Sequence, residues 1–207
     1  MALYDRQERL NLKIPEKVFV LGCGGIGSWV GLGFALTGVS KIYLWDHDIV
    51  EETNLNRTPY KTSDIKRLKV EALKDLILER RSFTEVYTYV TKLNSREDLE
   101  IIKIVNPDYL IDCRDNILFK KELKKIVKYV KLGYNGYNFT IDFSKEVWSV
   151  DDEDAGYTII PSWLGTPMLL TSLIIYIIEG SDLNELNMSG NFEKLINTIN
   201  NIKGGNL

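Results

Sequence analysis

The run Val18-Phe19-Val20-Leu21-Gly22-Cys23-Gly24-Gly25-Ile26-Gly27 limits this chain's possible folds more than any other feature. An apolar, β-prone segment enters a glycine-rich turn, and an apolar helical segment follows from Ser28 to Leu36. A second strand-like run, Lys41 to Trp45, then ends at Asp46, at the spacing of a nucleotide-binding βαβ unit. Gly22 allows the tight turn, Gly24 lets main chain approach a phosphate, and Gly27 lets helix and strand pack closely. Gly25 belongs to the same loop. The helix N-terminus offers unpaired amides and a positive dipole end to an anion, and Asp46 can accept from ribose hydroxyls. The pattern by itself does not choose between a dinucleotide and ATP.

The rest of the chain repeats the unit. Strands are expected at 17–21, 41–45, 84–90, 109–113 and 131–134. Helices are expected at 25–38 (closed by Gly38), 64–81, Ser95 to Val105, and Asn116 to Val130. Alternating strands and helices predict an α/β fold: a Rossmann-like, doubly wound, mostly parallel sheet. Residues 139–142 and 146–150 read as an antiparallel extension, and 167–179 as an apolar helix with Pro167 in its first turn. Residues 1–180 are taken as one domain. Residues 181–207, rich in asparagine, are taken as a loosely attached appendage with a weak helix near 191–202.

Bulk properties exclude several functions. A net charge of −3 carries no basic signature of nucleic-acid binding. The most apolar segment, Met168 to Ile178, is far short of the ~20 residues that span a bilayer, and MALYDRQERL lacks a signal core. A cytoplasmic protein is expected. Two cysteines, Cys23 and Cys113, cannot form a four-thiolate zinc site.

Ligands of open parallel sheets bind beyond the C-terminal ends of the strands. Sequence order places there the glycine loop, Asp46, Asp48, Asn54, Arg57, Lys69 and the Asp112-Cys113-Arg114-Asp115-Asn116 segment. Carboxylates and cations around a phosphate loop suit a metal–nucleoside triphosphate better than a nicotinamide. One carboxylate such as Asp115 can hold Mg²⁺ alongside phosphates, and Arg57 and Lys69 can neutralise charge developing on phosphoryl oxygens.

Six motifs in order carry a resemblance: Tyr4-Asp5-Arg6-Gln7, Gly22 to Gly27, Asp46-His47-Asp48, Asn54-Leu55-Asn56-Arg57, Lys69-Val70-Glu71 and Asp112 to Asn116. Together they resemble the ThiF/MoeB/HesA family of the ubiquitin-activating (E1-like) superfamily over about residues 4–180. The resemblance implies adenylation of a carboxylate by ATP and Mg²⁺, usually at the Gly-Gly end of a small carrier protein or a peptide. It implies that Gly22, Gly24, Gly25 and Gly27 cradle phosphates and that Asp46, Asp48 and Asn116 line the nucleotide site. Asn54, Arg57 and Lys69 would hold the triphosphate, and Asp115 the metal. Arg6 would act in the other subunit of a homodimer. The family's two CxxC pairs are missing, so no zinc is expected. No cysteine follows Cys113, so the chemistry is expected to stop at the adenylate. Competing readings are a small-molecule or tRNA-bound carboxylate as substrate, or a non-catalytic E1-like scaffold subunit.

Overall fold

The computed structural model describes residues 3–116, 118–143, 161–180 and 187–204. Seven strands among them form one sheet in the order β3-β2-β1-β4-β5-β6-β7. β1 (Lys17–Leu21), β2 (Lys41–Trp45), β3 (Glu85–Tyr89), β4 (Tyr109–Asp112) and β5 (Tyr129–Asn135) run parallel. β6 (Asn138–Asp142) and β7 (Met188–Asn191) add on antiparallel.

β1 is central because it is apolar on both faces. Val18 and Val20 pack on one side with α2 (Gly27–Thr37), α3 (Lys69–Leu78) and α6 (Gly165–Ile175). Phe19 and Leu21 pack on the other side with Leu99 and Ile102 of α4 (Arg96–Val105) and Leu123 of α5 (Lys120–Ile126). α2 and α6 are apolar on nearly every side and pack against each other as well as the sheet. Among the described residues, no helix is long and apolar enough to cross a membrane.

The chain winds outward from β1 to β3, then restarts at β4 on β1's other side. The gap between the ends of β1 and β4 is therefore the topological switch point, where such sheets bind ligands.

Three elements depart from the expected ones. The helix expected over 64–81 begins only at Lys69. Ahead of it, Lys66 takes a left-handed φ of 71°. Main-chain bonds from Lys66 to Val50 (2.8 Å) and from Val50 to Arg67 (2.8 Å) hold this segment against the loop after β2. Tertiary pairing there overrides helix propensity. The helix expected over Asn116–Val130 shrinks to α5, because Asn116 accepts from the Leu118 amide, Phe119 is left-handed and Tyr129 already pairs with Leu110 in the sheet. Of the residues expected as an appendage, 188–191 pair along β6 and α7 (Phe192–Gly204) follows. The strand expected at 146–150 lies outside the described residues.

α1 (Asp5–Glu8) docks at the far end of α2: Gln7 donates to the Thr37 carbonyl at 2.6 Å, and Tyr4 packs against Gly38. Beneath it lies Glu179, 2% exposed. Its Oε1 accepts from Thr37 Oγ1 at 2.7 Å, while Oε2 has no hydrogen-bond partner among the described residues. Burial outweighs the Thr37 bond and pushes its pKa from 4.5 up to about 7. The folded state thus holds this proton more tightly than the unfolded chain does. The stability so gained is full below about pH 4.5 and is lost as pH rises through about 7. Glu179→Gln, which cannot ionise, should remove this loss. Its melting temperature relative to the parent should be several degrees higher at pH 8 than at pH 5, corresponding to roughly 1–3 kcal/mol. The same difference at both pH values in paired thermal melts would contradict it.

Candidate active site

The glycine loop takes its shape from close contacts. Gly22 has φ 83°, and a Cβ there would sit 3.2 Å from the Cys113 carbonyl and the Arg114 amide. The loops after β1 and β4 therefore touch at the switch point, and Cys113 donates to the Leu21 carbonyl at 2.7 Å. A Cβ on Gly27 would lie 1.7 Å from the Gly22 oxygen, so only glycine lets α2 start here. A Cβ on Gly24 would meet nothing within 4 Å, which leaves its main chain open to a ligand. No side chain caps the N-terminus of α2; the Ser28 amide turns back to the Gly24 carbonyl at 3.1 Å, and the positive end of the helix faces the loop, where an outside anion can be accepted.

Asp46, 8% exposed at the end of β2, fastens this loop. Its Oδ2 accepts from the Cys23 amide at 2.6 Å and its Oδ1 from the Asp48 amide at 2.9 Å. Each oxygen keeps a lone pair for a further donor. Asp48 pairs with Lys69 at 2.8 Å, and the Lys69 amide bonds the Asp48 carbonyl at 2.9 Å. Partial burial alone would raise the pKa of Asp48; the hydrogen bond and charge of Lys69 outweigh it and leave the carboxyl below its usual range. The late start of α3 is what puts Lys69 in its first turn, facing Asp48.

Arg57 lies over the loop. Its Nε would be 3.5 Å from a Cβ on Gly25, its Nη1 donates to the Thr53 carbonyl at 2.6 Å, and its own carbonyl accepts from Trp29 Nε1 at 2.9 Å. Asn54 accepts from the Glu51 amide at 3.1 Å, so its side chain also shapes the turn that leads to Arg57. Asp115 and Asn116 are exposed in the loop after β4. Among the described residues, no hydrogen bond or ion pair holds the Asp115 carboxylate.

The switch point thus gathers the glycines, Asp46, Asp48, Arg57, Lys69 and the Asp112–Asn116 loop. Arg6 is not among them. It is exposed on α1, at the other end of α2, about 16 Å away at 1.5 Å per residue. Both cysteines are poor nucleophiles here, because burial raises the pKa of the Cys23 and Cys113 thiols well above the ordinary value.

Sequence reasoning missed three aromatic contacts. The Tyr60 hydroxyl donates to the Cys23 carbonyl at 2.6 Å and ties the segment before α3 to the glycine loop. Tyr134 on β5 brings its hydroxyl within 2.7 Å of where a Gly25 Cβ would be. Trp29 packs against the core and, through its indole N–H, also pins the main chain of Arg57. No local motif marks these residues, since each acts on a partner distant in sequence.

Fold and site together define a nucleotide-binding α/β protein with a glycine loop and a cation pair at its switch point. The chain belongs to the ThiF family, whose model matches residues 2–135. It is 38% identical over 112 residues to the adenylyltransferase and sulfurtransferase MOCS3 of Culex quinquefasciatus, an alignment covering 54% of this chain and 25% of that protein. It is 36% identical over 103 residues to the adenylyltransferase and sulfurtransferase UBA4 of Saccharomyces cerevisiae, covering 49% and 23%. The chain spans about a quarter of the length of these curated relatives. Among solved structures, E. coli MccB with AMPCPP and MccA superposes with a TM-score of 0.68 at 21% identity, covering 86% of this chain and 63% of that one. This likeness extends the shared fold beyond the matched family segment.

Proposed function

We propose that this chain adenylates a carboxylate with ATP, releasing pyrophosphate, and that the carboxylate is the C-terminus of a small Gly-Gly-ended carrier protein or of a peptide. The observation that carries the reading is what surrounds one glycine loop: Arg57 lies over Gly25, Asp46 fastens Cys23 while its neighbour Asp48 holds Lys69, and the segment that carries the unengaged Asp115 touches Gly22 through Cys113 and Arg114. The names of the relatives point the same way: MOCS3 and UBA4 are adenylyltransferases, and MccB is seen with AMPCPP and MccA.

The reaction matches the groups present. A C-terminal carboxylate, pKa about 3.5, is ionised at pH 7 and needs no general base. Its oxygen attacks the α-phosphorus, the bond to the bridging oxygen breaks, and pyrophosphate leaves with the electron pair. The protein supplies positioning and charge. Glycine-loop and α2 amides face the phosphates, Asp46 accepts from the ribose, and Arg57 and Lys69 stabilise the phosphoryl oxygens. Lys69 exchanges part of its bond to Asp48 for that role.

The donor set suits Mg²⁺: of the two exposed carboxylates here, Asp48 is paired with Lys69, while Asp115 is unengaged among the described residues, which matches a cation that takes one or two carboxylates plus phosphates. When bound, it offsets the charge of the departing pyrophosphate. Burial raises the pKa of both thiols, Cys23 and Cys113, which disfavours either as an acyl acceptor and supports release of the acyl-adenylate from this chain. Because Arg6 sits at the far end of α2, any role in catalysis requires a second copy of the chain, and we infer a homodimer in which it acts in trans.

Incubation with α-labelled ATP, Mg²⁺ and a Gly-Gly-ended carrier, followed by hydroxylamine, should give labelled AMP and a hydroxamate at the carrier's C-terminus. Release of ADP, or a hydroxamate traced to a cysteine of the enzyme, would contradict the reading.

A further inference from the structure

Asp112, Lys131 and Asp142 are paired in register across β4, β5 and β6, so their side chains share one face of the sheet. The row is deeply buried: Asp112 is 0%, Lys131 2% and Asp142 1% exposed. The Lys131 ammonium lies 3.4 Å from Asp112 Oδ1 and also donates to the main-chain carbonyl of Arg114. Arg114 closes on Asp112 through its amide and Nε (both 3.0 Å to Oδ1) and its Nη2 (2.8 Å to Oδ2). The Tyr129 hydroxyl adds a 2.8 Å bond to Oδ2. Asp142 is held separately by Lys120 at 2.8 Å.

A buried lysine costs several kcal/mol in desolvation and is tolerated only when well paired. Tyr129, two residues earlier on the same face, packs in the apolar cluster with Leu99, Ile102 and Leu123, so this face of the sheet suits apolar side chains. Arg114 and Tyr129 already satisfy Asp112 with charge and hydrogen bonds. The Arg114 amide is already held by Asp112; what Lys131 adds is a bond to the Arg114 carbonyl, in the peptide that leads to Asp115.

We propose that Lys131 is a positioning residue for the divalent cation: by holding the Arg114 carbonyl it fixes the loop that presents Asp115 beside the glycine loop. The proposal rests on the adenylation reading for what the cation is used for, but not for the holding of the loop.

Two readouts test it on the whole chain. The first is backbone hydrogen exchange in the unliganded protein. Lys131→Met should speed exchange at the amides of 113–116 by about tenfold while β4 stays protected, and Lys131→Arg should retain protection. The second is calorimetric binding of ATP with Mg²⁺ varied. The Mg²⁺ concentration giving half of the tighter binding should rise about tenfold in Lys131→Met, the scale on which supporting contacts tune metal sites, with ATP binding in the absence of Mg²⁺ unchanged. Should Lys131→Met not fold, Lys131→Gln, which loses the charge and one bond of reach, takes its place with the same expected results. Unchanged exchange at 113–116, or faster exchange throughout β4 as well, would overturn the proposal. So would an unaltered Mg²⁺ requirement with a loosened loop. If no carboxylate supports adenylation, both readouts still decide the proposal. If ATP does not bind, the exchange readout decides it alone.

Discussion

Asp112→Asn should cost about 3–5 kcal/mol of folding stability, the range measured when one partner is removed from a buried ion pair. The carboxylate is fully buried and receives four hydrogen bonds from Arg114 and Tyr129, with Lys131 beside it. Burial would raise its pKa, but the charges of Lys131 and Arg114 outweigh that penalty and hold it at about 2. The depressed value means that the ionised form stabilises the fold above the unfolded pKa near 3.8, and that this contribution is lost as pH falls toward about 2. Asparagine keeps the shape and removes the charge, leaving two buried cations without their counter-ion. Urea unfolding at pH 7 reads the effect as a lower midpoint at constant slope. A loss below about 1 kcal/mol would show that Lys131 and Arg114 find compensation elsewhere. Adding Lys131→Met should recover part of the loss, because the two side chains are coupled.

Arg57→Ala should lower the rate of carboxylate-dependent adenylation on the order of 10²–10³-fold, the effect of deleting one preorganised stabiliser of developing charge. Arg57 is suited to that role by its support. Its carbonyl is fixed by Trp29, its Nη1 by Thr53 and Asn56, and its Nε lies close to Gly25. The guanidinium is already held in place by these bonds, so under the proposed function little reorganisation would remain for the reaction itself. The loss should fall mainly on kcat, with the KM for ATP changed less, and Arg57→Lys should recover only a fraction because an ammonium lacks the planar fork. A rate within threefold of the parent would remove Arg57 from the catalytic set. Because Arg57 is half-exposed and outside the apolar clusters, the melting temperature should barely change.

What could be read from the sequence was what has a short-range cause. β1 and the glycine loop are legible because continuous burial and a tight turn demand valine, leucine and glycine at fixed spacing. Asp46 followed from the same spacing, whereas Lys69 came from sequence order and the family resemblance, and the bond that unites it with Asp48 crosses from one element to another. The start of α3 was not legible, since pairing with the loop after β2 reshapes residues 65–68. β7 was hidden for a similar reason. Met188-Ser189-Gly190-Asn191 has the composition of a turn, yet it pairs because Gly190 leaves room for the Phe139 ring, 2.6 Å from where a Cβ would be. Lys131 was legible only as the start of a strand; its burial between Asp112 and Asp142 depends on the register with β4 and β6. The site's supporting contacts from Tyr60, Tyr134 and Trp29 are long-range in the same sense.

Exchange of labelled pyrophosphate into ATP, measured with Mg²⁺ in the presence and absence of Gly-Gly-ended carrier proteins and peptides, tests the proposed chemistry most directly. Exchange that appears only with a carboxylate partner, and that disappears in Arg57→Ala and Asp115→Ala, is the predicted result. Mg²⁺-ATP binding without exchange in the presence of any such partner would contradict activation of a protein or peptide terminus and shift the substrate to a smaller or RNA-borne carboxylate. Failure to bind ATP at all would contradict the enzymatic reading itself and leave a scaffold built on the same fold.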